Sequence, residues 1–163
     1  MKASILYHSK TGNTKKMAEV IAEGMLSVEG VAAKAFSITE ADHEYIKESS
    51  CVLFGTPIYL ASMSGAMKNW LEGPAFTLGL GGKLGGAFST ADYLHGGGDI
   101  GIMHILNHLM VLGMLTYSGG GSFGNPVIHL GPVALRKRLS DCEDVFRIYG
   151  QRVATKSKEL FAV

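Results

Sequence analysis

The stretch that decides the fold is Ala3-Ser4-Ile5-Leu6-Tyr7 followed by Ser9-Lys10-Thr11-Gly12-Asn13-Thr14. The first run is short and apolar and reads as a buried strand. Beyond the second, Met17, Val20, Ile21, Met25 and Val28 recur at three- and four-residue spacing, which predicts one face of a helix. A strand that enters a tight turn and then a helix aims backbone N–H groups and the positive helix end at one point, as an anion site requires. Ser9, Thr11 and Thr14 add hydroxyls, Asn13 an amide, Lys10 a cation, and Gly12 lets the backbone turn closely. A nucleoside-triphosphate loop would need Gly-x-x-x-x-Gly-Lys-Ser/Thr. That pattern is absent, so the donors suit a single phosphomonoester. The alternative is an ordinary turn whose Ser and Thr only cap the helix.

Working outward, apolar strands alternate with amphipathic helices, which predicts an α/β fold with a parallel sheet. Val31–Phe36 reads as a second strand, and Thr39 as the cap of a short helix running to Lys47. Cys51–Gly55 reads as a central third strand and Thr56-Pro57-Ile58-Tyr59 as the loop after it. A helix carrying Met63, Met67, Trp70 and Leu71 on one face follows. Leu84–Phe88 reads as the fourth strand, opening into a loop from Ser89 to Gly98. The helix Ile102–Leu112 is apolar on nearly every side, so it is expected to be buried or to join subunits. Met114–Tyr117 and Pro126–Leu130 read as two pieces of a fifth strand. Ser140-Asp141-Cys142-Glu143 reads as a capping box for a closing helix with Phe146, Tyr149, Val153 and Leu160 on one face.

The expected strand order is 2-1-3-4-5, in one domain spanning residues 1–163. The loops after strands one, three and four then meet at the carboxyl edge of the sheet, where ligands bind. The first would hold the phosphate, and the other two the sides of a flat ring.

Totals restrict the function classes. Fifteen basic against fourteen acidic side chains give a net charge of +1, no electrostatic case for nucleic acid or a membrane surface. No apolar stretch is long enough for membrane insertion. Two cysteines, Cys51 and Cys142, suggest no disulfide framework, and with no signal-peptide pattern at Met1-Lys2 a cytoplasmic setting is expected.

The six-residue loop matches, at every position, the Ser/Thr-x-Thr-Gly-Asn-Thr loop of the flavodoxin-like family, which it therefore resembles. Gly55-Thr56-Pro57 with Ser64-Gly65-Ala66-Met67-Lys68-Asn69-Trp70-Leu71 is similar to a segment of the WrbA-type NAD(P)H:quinone oxidoreductases, as are Phe88-Ser89-Thr90 and His95-Gly96-Gly97. The resemblance implies a flavodoxin-like three-layer sandwich with FMN bound noncovalently. Its phosphate would sit on Ser9 to Thr14, and its ring against Thr56, Pro57, Ile58, Tyr59 and the segment Ser89, Thr90, Ala91, Asp92, Tyr93, His95, Gly96 and Gly97. It further implies NADH or NADPH as donor, a quinone-like acceptor, two-electron transfer through flavin N5, and a homo-oligomer (dimer or tetramer). The sequence departs from that branch at three places: Val111-Leu112-Gly113-Met114 stands where it carries His-His-Gly-Met, Tyr59-Leu60 where it carries Arg-Phe, and Gly119 to Gly124 where it carries Pro-Tyr-Gly-Ala-Thr. A flavodoxin-type electron carrier is the first alternative function, and a non-catalytic oligomeric interaction module the second. Carriers of that type are generally acidic, and this chain is not.

Several single residues carry two readings. His95 either touches the ring, as a tentative catalytic group, or shapes its loop. Tyr59 either stacks on the ring or packs on Trp70. Asp92 either bonds the ring or turns the loop. For Phe76, in the glycine-rich segment, the resemblance implies a role in covering a site on another subunit. His104 and His108 are spaced as metal ligands can be, but no third ligand is evident and a core or interface pair is the preferred reading; no metal is expected. Gly96-x-Gly98-x-x-Gly101 and Gly119-x-Gly121-x-x-Gly124 match the dinucleotide fingerprint formally, without the acidic residue it needs about twenty positions on.

Overall fold

A computed structural model describes residues Met1 to Phe161. The elements run β1 (Lys2–Tyr7), α1 (Asn13–Leu26), β2 (Ala32–Ser37), α2 (His43–Glu48), β3 (Cys51–Tyr59), β4 (Ser62–Met63), α3 (Gly65–Glu72), β5 (Leu84–Ala91), α4 (Gly98–Val111), β6 (Leu115–Thr116), β7 (Val133–Leu135) and α5 (Leu139–Phe161). The sheet order is β2-β1-β3-β5-β6, with β7 also paired to β5. All of these pairings are parallel. With the hairpin strand β4 set aside and β6 and β7 taken as one interrupted strand, this is the expected order 2-1-3-4-5.

Alternation along each strand builds two cores. Ile5 and Leu53 face one layer with Met17, Ile21, Phe146 and Tyr149 of α1 and α5. Leu6, Val52 and Phe54 face the other with Met67, Trp70, Ile105 and Leu109 of α3 and α4. The α1 and α5 backbones touch through a reciprocal pair of glycines. A Cβ on Gly24 would fall 2.0 Å from the Arg147 carbonyl oxygen, and one on Gly150 2.3 Å from that of Ile21.

The expectations that fail do so for identifiable reasons. Asp42, not Thr39, caps α2, accepting from Tyr45 N at 3.0 Å. Residues 56–59 are not a loop: β3 runs through them and turns back as an antiparallel hairpin, Ile58 facing Met63. Met63 therefore lies in β4 and not in a helix. Likewise Ser89–Ala91 belong to β5, paired with β3 on one side and β7 on the other.

The second piece of the fifth strand is Val133–Leu135, not Pro126–Leu130. Pro126 and Pro132 offer no N–H to a ladder, and Ile128 instead plugs the core, 3% exposed. Gly131 (φ 151°) brings the chain back onto the sheet, where a Cβ would meet the Ala87 oxygen at 2.1 Å. Ser140 lies inside α5, which starts at Leu139, so it is no N-cap. Leu160 is half exposed. On α4, Ile102, Ile105, Leu106 and Leu109 are buried, while Met110 and Val111 are exposed.

Candidate functional site

Three segments converge at the carboxyl edge of the sheet. β1 delivers Ser9 to Thr14; Gly12, in the left-handed region at φ +89°, turns the chain into α1. Its N–H donates to Ser9 Oγ at 3.1 Å, which folds the turn on itself. No side chain caps α1, and its first turn carries no acid. The helix end therefore keeps its positive field and its unbonded N–H groups for an anion.

The end of β3 forms one wall. Thr56 is fully buried beneath it; its Oγ1 donates to the Pro57 carbonyl at 2.9 Å and accepts from Ser64 N at 2.9 Å. Ser64 in turn caps α3, accepting from Met67 N at 3.2 Å, and lies 2.9 Å from His8 Nδ1. Burial first, and the Lys10 ammonium second, hold His8 below the ordinary imidazole value. Tyr59 meets His8 edge-on at 6.4 Å, and Lys10 Nζ stands 5.5 Å from the Tyr59 ring centre. Trp70 packs on Phe54, so the expected Tyr59–Trp70 alternative has no counterpart.

The end of β5 forms the opposite wall. Thr90 Oγ1 lies 2.8 Å from Thr14 Oγ1 in a buried contact that ties β5 to the first turn of α1. One hydroxyl of such a pair donates to the other, leaving the acceptor's own hydrogen for a ligand. Asp92 continues the wall, and Arg136, one residue past β7, pairs with it at 3.1 Å.

The result is a shallow cleft of about 130 Å³ lined by Ser9, Lys10, Thr11, Asn13, Thr14, Pro57, Ile58, Tyr59, Thr90, Ala91, Asp92 and Arg136. Every one of these except Arg136 is a candidate named from the sequence. The other candidates stand off the lining. Gly12 shapes the turn, and Thr56 is buried behind the wall. Ser89 is buried as well, its Oγ donating to the Gly98 carbonyl at 3.1 Å. Tyr93 and His95 are exposed, and Gly96 and Gly97 lie beside them in the turn before α4. A Cβ on Gly97 would fall 2.7 Å from Ala61, so this turn abuts the β3–β4 hairpin. Arg136 escaped notice because its segment was expected to be a strand five residues earlier. A basic residue just past a misplaced strand gave no signal of its own.

The remaining candidates have structural partners. His104 Nδ1 lies 3.0 Å from Ser62 Oγ, and His108 Nδ1 donates to the His104 carbonyl at 2.7 Å. Gly98 packs on Val133, and Gly101 on Ile58. Burial pushes the Cys51 thiol up to about 12. A larger hollow of about 810 Å³ lies beyond β7, between residues 127–133 and the start of α5; Gly98 borders it, and none of the residues expected to hold a cofactor does. Among the described residues no helix is long and apolar enough to cross a membrane.

Comparison with known proteins bears on this geometry directly. The family model described as Flavodoxin matches residues 5–91, more than half of the chain. A flavodoxin from Clostridium saccharobutylicum is 45% identical over 161 residues, covering 99% of this chain and all of that protein. An NAD(P)H dehydrogenase (quinone) from Syntrophobacter fumaroxidans is 28% identical over an alignment of 202 residues, covering 98% of each chain. The crystal structure of a WrbA-like flavodoxin from Agrobacterium tumefaciens superposes with a TM-score of 0.79 over 97% of this chain and 98% of that one, at 22% identity, a likeness of fold. The strand order, the place of the cleft at the switch point and the sequence matches agree, and the chain belongs to the flavodoxin family.

Proposed function

We propose that this chain binds FMN noncovalently in the cleft and acts as a flavodoxin-type electron carrier. The observation that carries the reading is the convergence of an uncapped, acid-free helix end with two separate walls in one cleft. Family membership implies FMN, and the donors fit it. Ser9, Thr11, Asn13 and the α1 N–H groups suit a phosphomonoester; Pro57–Tyr59 and Thr90–Asp92 would flank a flat ring. When bound, the flavin supplies the electron chemistry; the protein holds it, shapes its surroundings and controls access. At about 130 Å³ the cleft is smaller than sites that enclose a ligand, roughly 300–1,000 Å³, so an edge of the ring would stay at the surface.

The rim of the cleft supports exchange with a protein partner. Leu60 at the β3–β4 tip is fully exposed, and Tyr93 and Leu94 are 76% and 78% exposed on the abutting turn. With a net charge of +1, docking would rest on this apolar rim more than on electrostatic steering. Similarity also favours the carrier: identity is 45% to the flavodoxin relative and 28% to the quinone dehydrogenase.

The second reading is an NAD(P)H:quinone reductase, favoured by the balanced charge and by the relatives so named. Fluorescence titration with FMN, and with riboflavin as the phosphate-free control, tests the site. Anaerobic mixing of the FMN-loaded protein with NADH and then NADPH separates the readings. The carrier keeps its flavin absorption with both; rapid bleaching by either one establishes the reductase. The exposed Met110 and Val111 of α4 support self-association, which light scattering on the eluted protein measures.

A further inference from the structure

Three charged side chains line the cleft: Lys10 on the β1 side, and Asp92 and Arg136 on the other. Position 136 follows β7, whose Leu135 pairs with Ala91. Across the sheet the strands stand in the order β1, β3, β5, β7, so residue 136 is about three strand spacings, ~14 Å, from β1. Arg136 therefore enters the cleft from the β7 side, past the β5 wall of Thr90 to Asp92 that a ring would lie against. Its Nε meets Asp92 Oδ1 at 3.1 Å, with the two side chains 53% and 48% exposed. An ion pair so open to water is weak. The guanidinium can leave Asp92 for a ligand group at little cost, and its planar array of donors suits delocalised oxygen and nitrogen acceptors.

Resting on the reading that the cleft holds FMN, we propose that Arg136 sets how strongly the site prefers the reduced over the oxidised cofactor, with Asp92 opposing it. Two-electron reduction with uptake of one proton adds one net negative charge to the flavin. A guanidinium at the β5 wall favours that added charge, and a carboxylate there disfavours it. The two residues act in opposite senses on one quantity, the reduction potential, because they carry opposite charges side by side at the wall that the ring would lie against. Lys10, whose Nζ stands 5.5 Å from the Tyr59 ring, is the same in every variant compared and so does not enter the differences between them.

The test is a spectroelectrochemical titration of the FMN-loaded wild type, Arg136→Gln, Arg136→Lys and Asp92→Asn proteins, alongside the dissociation constant of oxidised FMN for each. Arg136→Gln should lower the relative affinity for reduced FMN about tenfold, a shift of ~30 mV to more negative potential for a two-electron couple. Arg136→Lys should keep most of the wild-type value, and Asp92→Asn should move it the other way. Equal weakening of both redox forms in Arg136→Gln, with no change in potential, would make the residue a phosphate ligand and overturn the proposal. So would an unchanged potential and unchanged affinity, which would reduce the pair to a surface contact. Failure of the wild type itself to bind FMN would instead remove the underlying reading of the cleft.

Discussion

The hydroxyls of Thr14 and Thr90 meet at 2.8 Å in a buried contact between residues 76 positions apart. Thr14 lies in the first turn of α1 and Thr90 near the end of β5, so this hydrogen bond ties the phosphate loop's helix to the β5 wall of the cleft. Removing one partner strands a buried hydroxyl, whereas removing both does not. Thr14→Val and Thr90→Val should each destabilise the protein by about 1–3 kcal/mol, and the double variant by clearly less than the sum. Urea unfolding of the four proteins measures the coupling.

Gly55 and Phe88 define the tightest point of the central sheet. A Cβ at Gly55 would lie 2.0 Å from Phe88 Cζ, and that ring is held in place edge-on against Phe146 at 5.9 Å. Gly55→Ala should therefore cost about 1–3 kcal/mol through overpacking. A lowered thermal midpoint is the expected result; an unchanged one would show that the Phe88 ring has room to turn.

Arg152 holds the segment inserted between β6 and β7. Its guanidinium donates to the carbonyls of Pro126 at 2.8 Å, Phe123 at 3.1 Å and Gly120 at 3.3 Å. Replacing it with Met keeps the apolar stem and removes the donors. Limited proteolysis should then cut within residues 119–126 several-fold faster, while the core amides of β1 and β3 keep their hydrogen-exchange protection.

His8 should make stability fall in acid. Its folded value is held below the unfolded one of about 6.5, so the unfolded chain binds the extra proton first. The contribution is complete above that pH and is lost as the pH drops through and below it. The difference in urea midpoint between pH 8 and pH 5 should be larger in the wild type than in His8→Gln.

Cys51 is fully buried and its thiol is pushed up to about 12, whereas Cys142 is partly exposed. Ellman's reagent at pH 8 should label one thiol in the native protein, at Cys142. Labelling of Cys51 should follow the rate of global unfolding.

Local pattern was enough wherever a segment's environment is the sheet itself. Ala3–Tyr7 and Cys51–Gly55 are buried on both faces and read as continuous apolar runs. The face of α1 carrying Met17, Val20, Ile21 and Met25 is as buried as its spacing implied. The pattern was silent where the partner lies elsewhere. Thr56 and Ser89 look like ligand donors in a row of polar residues, but the carbonyls of Pro57 and Gly98 accept their hydroxyl hydrogens. Residues 126–130 look like a strand because Val127, Ile128 and Leu130 are apolar, yet only Ile128 is deeply buried, and the flanking prolines exclude a ladder.

The sequence by itself determined the layered α/β plan and the anion-binding turn, because both rest on interactions between residues close in the chain. It also determined which three segments reach the carboxyl edge, since parallel crossovers leave them little choice. Tertiary structure alone decided which side chains face the cleft and which lie behind its walls. It placed Arg136 against Asp92, a pairing across 44 positions that no local spacing encodes. Contacts of that kind depend on how an interrupted strand re-enters the sheet, and at Gly131 a missing side chain settles it by letting the chain close onto the Ala87 carbonyl.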